Sequence, residues 1–231
     1  MSIDNDGILR RIQTLASVGL PYLGETWQKA IDAGVWTIDL GGTTGSVTRD
    51  VTEEPYQKVI MAAAAVDDTA RLHTVDKWQL APDVWGPNTF NKLLIMEWEA
   101  KFVVPADILE TDFLMGLTAG AAAVRTSMNI AAFILDGAGV LNSLTDDGGA
   151  ETAKAVGAPV LTDWHKYGIA AYNGIIEFYV DEAMQARHTT TAGEDLPDMN
   201  VHGMFFCPAE AAAFTGELHV ANVSIRPGVI L

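Results

Sequence analysis

Charge is scarce in this chain, and positive charge is scarcest. Lys and Arg number 14 against 30 Asp and Glu; together they make 19% of the 231 residues, and the formal net charge is −16. Such an acidic surface repels phosphate backbones and anionic headgroups, so nucleic-acid and membrane partners are not expected. Cysteine is nearly absent: Cys207 alone cannot form an internal disulfide, a usage consistent with cytosolic synthesis. In Phe205-Phe206-Cys207-Pro208 it reads as a small buried apolar residue, not a nucleophile. No apolar run is long enough to span a bilayer. The acidic opening Met1-Ser2-Ile3-Asp4-Asn5-Asp6 lacks the basic-then-apolar order of a signal peptide. The five histidines, His73, His165, His188, His202 and His219, stand at no metal-binding spacing, so no metal or cofactor is expected. Gly41-Gly42-Thr43-Thr44-Gly45 lacks the Gly-Lys-Ser/Thr ending and the following helix of a phosphate loop, and reads as a loop or strand kink.

Apolar residues, by contrast, reach 49%, which calls for a large core, large interfaces, or both. Residues 4–34 differ from the rest. Asp4 to Asp6 can cap a helix along which Ile8, Ile12, Leu15 and Ala16 recur at helical spacing, until Gly19 and Pro21 end it. A second short helix is predicted from Glu25 to Ala33, with Trp27 and Ile31 on one face. Residues 46–55 are polar and read as an extended joint. The expected organisation is therefore a helical arm with its joint over 1–55 and a sandwich over 56–231.

From there, strand patterns dominate. Tyr56 to Val66 fits helix or strand by periodicity alone. Leu93 to Val104 alternates clearly, with Leu94, Met96, Trp98, Ala100 and Phe102 on one face and Glu97, Glu99 and Lys101 on a wet one. Trp164 to Tyr172 and Ile175 to Val180 flank Asn173-Gly174, the dipeptide of a tight type I′ hairpin. Ile176, Phe178 and Val180 share a face there. Asp181-Glu182 turns the chain again, and Ala183 to His188 runs back. Many short strands with Gly and Asp turns indicate an all-β sandwich.

Several of these stretches resemble concanavalin A-like and laminin G-like jelly rolls. Trp164-His165-x-Tyr167-x-Ile169 is similar to that family's W-H-x-Y-x-I strand. Ile176-x-Phe178-Tyr179-Val180-Asp181 is similar to its I-x-F-Y-V-D-G strand, with Glu182 in place of the usual Gly. Trp98 to Pro105 resembles F-E-A-R-V-x-x-P, and Phe113 to Leu117 resembles F-F-x-G-L. Asp147-Gly148-Gly149-Ala150-Glu151-Thr152 resembles a D-G-G-T-E-T turn of tailed-bacteriophage virion proteins.

The resemblance implies a jelly-roll β-sandwich and a non-enzymatic virion protein, a capsid decoration or cement protein made in the host cytoplasm and carried on the capsid surface. Its expected partners are copies of itself, with a trimer by analogy, and the phage major capsid protein. Ile8, Ile12, Leu15 and Trp27 are the candidate subunit or capsid contacts. The alternative is a tail-fibre or receptor-binding module holding host glycan, with Tyr56, Trp78 and Trp85 as candidate contacts. A third class is a laminarinase-type glycoside hydrolase. Glu97 and Glu99, at i and i+2 on one strand face, would lie about 7 Å apart, within the carboxylate separation of an inverting glycosidase. Against it, both align with the F-E-A-R strand, where the Glu is structural, and Met128 to Leu135, nearer the family's catalytic position, holds no carboxylate. Asp136, Asp146, Asp147 and Asp181 sit at turns, where Asp commonly bonds its own backbone rather than calcium.

Overall fold

The computed structural model describes residues 23–25, 27, 30–52, 57–65, 68–79, 92–103, 113–120, 129–135, 139–149, 151–172, 174–197, 200–209 and 216–229. In chain order its strands are β1 (Leu23–Glu25), β2 (Trp36–Gly41), β3 (Ser46–Asp50), β4 (Lys58–Ala63), β5 (Asp68–Thr74), β6 (Trp78–Gln79), β7 (Lys92–Val103), β8 (Leu114–Thr118), β9 (Ile130–Leu135), β10 (Leu141–Asp146), β11 (Thr152–Ala155), β12 (His165–Tyr172), β13 (Ile175–Val180), β14 (Ala183–Thr189), β15 (Asn200–Ala209) and β16 (Gly216–Val229). They form two eight-stranded sheets. The first runs β14-β13-β12-β7-β16-β4-β3, with β1 also on β16. The second runs β11-β10-β9-β8-β15-β5-β2, with β6 on β15. Among the described residues the one helical element is a single 3₁₀ turn, Thr190–Ala192.

The alternation along β7 builds the core. Leu94, Met96, Trp98, Ala100 and Phe102 are all buried between the sheets. Trp98 stacks on Tyr167 of the neighbouring β12 (centroids 5.9 Å apart) and meets Phe133 and Phe205 of the opposite sheet edge-on at 5.9 and 5.7 Å. Its Nε1 donates to Met115 Sδ at 3.4 Å. Aromatic pairs in such tilted and offset geometries contribute beyond the area they bury. A second apolar cluster, with Leu114, Ile134, Met204 and Phe206, lies on the other face of the second sheet.

The predicted β12-turn-β13-turn-β14 meander is present in register, Tyr172 opposite Ile175 and Val180 opposite Ala183. Its second turn keeps the type I′ shape without Gly: Asp181 and Glu182 both take positive φ, 49° and 68°. Tyr56 to Val66 resolves as strand over Lys58–Ala63.

The N-terminal expectation needs correction. In residues 23–50 the described chain forms strand and irregular loop instead of a helical arm and joint. β1 pairs with β16, β2 with β5, and β3 with β4, so this stretch belongs to both sheets and the expected division at 55/56 does not separate it from the sandwich. Trp27 sits at φ 57°, fully buried, its ring 5.5 Å from Trp36, and Ile31 packs on the same core. Trp27 and Ile31 both meet the core, and two core contacts four residues apart leave the same apolar spacing as a helix turn. Trp27 is thus a core residue and is not available as a subunit or capsid contact. The expected helix over Ile8, Ile12 and Leu15 lies outside the described residues.

The Gly-rich stretch joins the two sheets as a loop between β2 and β3. The Asp68 carboxylate accepts hydrogen bonds from Thr43 N and Thr44 N, each at 2.7 Å, and from Thr44 Oγ1. Gly42 at φ 78° lies so close that a Cβ would overlap Asp68 Oδ1.

Candidate functional site

Glu97 and Glu99 point outward from β7, near the middle of the first sheet. Their surroundings differ. Glu97 is buried, so the face is not wet there. One of its carboxylate oxygens is bonded by Arg226 of β16, and the other lies 3.3 Å from Lys166 Nζ of β12. Glu99 accepts from Asn222 Nδ2 at 2.9 Å. Asn222 reaches it because β16 bulges between Ala221 and Ser224, with Asn222 at φ 49°. Further along the face, Glu177 of β13 accepts from Tyr179 Oη at 2.6 Å and from Arg187 Nε of β14 at 2.8 Å. Burial, with the Glu177 charge second, pushes the Tyr172 phenol up to about 12. Burial and the bond to Glu177 likewise raise Tyr179. Glu97, Glu99 and Glu177 are thus each engaged by a cation, an amide or a phenol.

A second polar group lies between the sheets. His188 of β14 is hydrogen-bonded through Nε2 to Ser143 Oγ (2.9 Å) and through Nδ1 to Thr145 Oγ1 (3.0 Å), both on β10, with Glu194 Oε2 at 3.8 Å from Nδ1. The residue types are those of a Ser-His-acid triad. Ser143, Thr145 and His188 all have zero solvent exposure, so no substrate reaches the hydroxyl. Burial, helped by the nearby Lys154 charge and opposed by Glu194, brings His188 down to about 4. A neutral imidazole bridging two hydroxyls is a polar clip between the sheets.

The other histidines are placed singly or as a pair. His165 bonds Asp181 Oδ2 at 2.7 Å and Val160 O at 3.0 Å, and His219 bonds Glu217 at 2.7 Å. His73 and His202 both turn Nδ1 to Thr74 O. Among the described residues, no group of three or more His, Cys, Asp or Glu side chains could hold a metal ion. Asp146 and Asp147 bond their own turns, accepting from Gly148 N at 2.6 Å and Gly149 N at 3.0 Å, whereas Asp181 accepts across the strands from Lys166 N at 3.0 Å. Asp136 lies outside the described residues. Cys207 is buried, its Sγ–H donates to Gly216 O at 3.2 Å, and burial raises its thiol well above the ordinary range. Of the candidate glycan contacts, Trp78 is half-buried against the core edge, and Tyr56 and Trp85 lie outside the described residues.

Apolar surface remains exposed along β2 at the border of the second sheet. Ile38 is 43% and Leu40 50% exposed, and Val51 just beyond β3 is 44% exposed.

No family model and no curated protein matches the chain. Solved structures do. An endo-1,3-beta-glucanase from Streptomyces sioyaensis is 11% identical, over 90% of this chain and 96% of that one, at a TM-score of 0.62. The Emp47p carbohydrate recognition domain is 9% identical over 90% and 95%, at 0.60. Arcelin-5, a lectin-like defence protein from Phaseolus vulgaris, is 8% identical over 90% and 99%, at 0.59. The fold is a concanavalin A-like jelly roll. At these identities the likeness concerns architecture, and the same jelly roll carries a glucanase and lectin-like domains alike.

Proposed function

We propose that this jelly roll is a non-enzymatic structural protein of a tailed-bacteriophage particle, a capsid decoration protein that works by association. The observation that carries the reading is the contrast between its two kinds of surface. The acidic groups of its central strands are held in internal ion pairs and hydrogen bonds, while apolar side chains stay exposed at the β2 border. A general acid or nucleophile needs a carboxylate free to meet substrate, whereas an assembling protein needs apolar area left to bury. The phage-like Asp147 to Thr152 turn supports the particle context, with copies of the same chain and the major capsid protein as partners. The test is mass spectrometry of purified particles with immunogold labelling, together with binding to undecorated capsids. Absence from particles would overturn the reading. So would β-glucan turnover that disappears in Glu97→Gln.

A second reading, a receptor-binding module for host glycan, is favoured by the carbohydrate recognition domain among the structural neighbours. On a glycan array it predicts selective binding that Trp78→Ala weakens, and capsid binding would be missing.

A further inference from the structure

We infer that β2 is a self-pairing edge, through which two copies of this chain join their second sheets into one continuous sheet about a two-fold axis at Ile38. This goes beyond the virion reading and stands or falls without it.

Edge strands invite pairing, and folded proteins blunt them with Lys, Pro, bulges or very short strands. Three of the four sheet borders here are protected. β3 carries Arg49, whose Nε donates to Trp27 O, and Asp50. β14 meets its neighbour through a bulge between Phe178 and Tyr179. β11 is only four residues long, and its Lys154 bonds Arg187 O and Glu194. β2 has no Lys, Pro or bulge, and its one charge, Asp39, is already paired with Arg71. It pairs with β5 in unbroken register over six residues, and no described strand pairs with its other side. Thr37, Ile38, Asp39 and Leu40 are all exposed.

The hydrogen-bond phase says which groups are available. Val75 N donates to Val35 O at 2.8 Å. Bonding alternates along an antiparallel pair, so the Val35 carbonyl and both backbone groups of residues 37, 39 and 41 are directed toward β5, while Val35 N donates to Asp32 O. Trp36, Ile38 and Leu40 direct theirs to the free side. Trp36 N is already taken by Asp32 O at 2.8 Å, which leaves both groups of Ile38 and Leu40 and the Trp36 carbonyl.

The strand is complementary to itself in one register. With Ile38 opposite Ile38 of the second copy, Leu40 faces Trp36 and Thr37 faces Asp39. Ile38 then exchanges both its bonds across the axis, and each Leu40 N–H reaches a Trp36 carbonyl. The inner-face side chains Ile38 and Leu40 continue the apolar layer, and on the other face a hydroxyl meets a carboxylate already paired with Arg71 at 2.9 Å. Shifting the axis to Asp39 places two carboxylates directly opposite, which is unfavourable. The occupant that fits is therefore a second copy, and the closed two-fold product is a dimer instead of the trimer taken by analogy.

Light scattering and sedimentation of the full chain provide the first test, with a dimer expected. Leu40→Lys, at a half-exposed position, should give a monomer with unchanged circular dichroism. The register is read by cross-linking. Ile38→Cys places two Cα atoms about 5.5 Å apart across the axis, inside the disulfide range, whereas Asp39→Cys leaves them at about 8 Å, beyond it. Buried Cys207 adds no background. Mild oxidation should link Ile38→Cys into covalent dimers and leave Asp39→Cys unlinked. A monomeric or trimeric full chain, a dimer that survives Leu40→Lys, or preferential linking of Asp39→Cys would each overturn the proposal.

Discussion

Single side chains set both the firmness of this sandwich and its response to acid. Phe178 is fully buried and meets Phe133 and His188 edge-on at 5.2 and 5.3 Å. Phe178→Ala should cost about 3–5 kcal/mol, read from urea unfolding; a variant that melts like the parent would mean the inner face of β13 is misassigned. His188 gives the molecule an acid limit. Its folded value near 4 lies below the ordinary 6.5, so the unfolded chain takes up this proton first. The stability tied to neutral His188 is complete above about pH 6.5 and is lost as pH falls toward 4, on the order of 3 kcal/mol. His188→Gln should flatten unfolding free energy over that window relative to the parent, and equal slopes would refute the assignment. This bridge was not legible in the sequence. Ser143 and Thr145 read as ordinary alternating strand residues, and nothing local places them against a histidine more than forty positions later.

Elements were legible where period and turn chemistry agreed. The alternation of β7 and the Asn173-Gly174 turn predicted their strands and faces because both signals are local. The N-terminal stretch misled because Trp27 and Ile31 obey a helical interval and both meet the core, while Trp27 itself holds a left-handed backbone. The Arg226–Glu97 pair, 129 residues apart, had only strand parity to announce one partner. The turn at Asp181-Glu182 carries a testable cost. Glu182 holds a left-handed backbone, φ 68°, which Gly adopts freely. Glu182→Gly should therefore stabilise the chain by about 0.5–1 kcal/mol. The lost approach to half-buried Lys166, 3.9 Å from an exposed Glu182 carboxylate, offsets little. Thermal melting checks the sign, and a lower midpoint would argue against a strained turn.

At the scale of the whole molecule, charge and topology govern behaviour. Copies that each carry −16 repel one another, so self-association should tighten as salt screens them. Light scattering at low and moderate ionic strength reads this directly, and weaker association in salt would point to an interface held by ion pairs. The topology has a temporal side. β16 lies between β7 and β4, and β1 also pairs with it, so the middle of the first sheet is filled by a strand that leaves the ribosome after every other described one. Until then β7 and β4 present open edges in a nascent chain whose native contacts are mostly distant in sequence, a condition that slows folding and exposes aggregation-prone surface. A chain stalled before Gly216 should therefore remain protease-sensitive and chaperone-bound, and completion of β16 should be the event that releases it. Pulse proteolysis of stalled ribosome complexes would show protection appearing only once β16 has emerged.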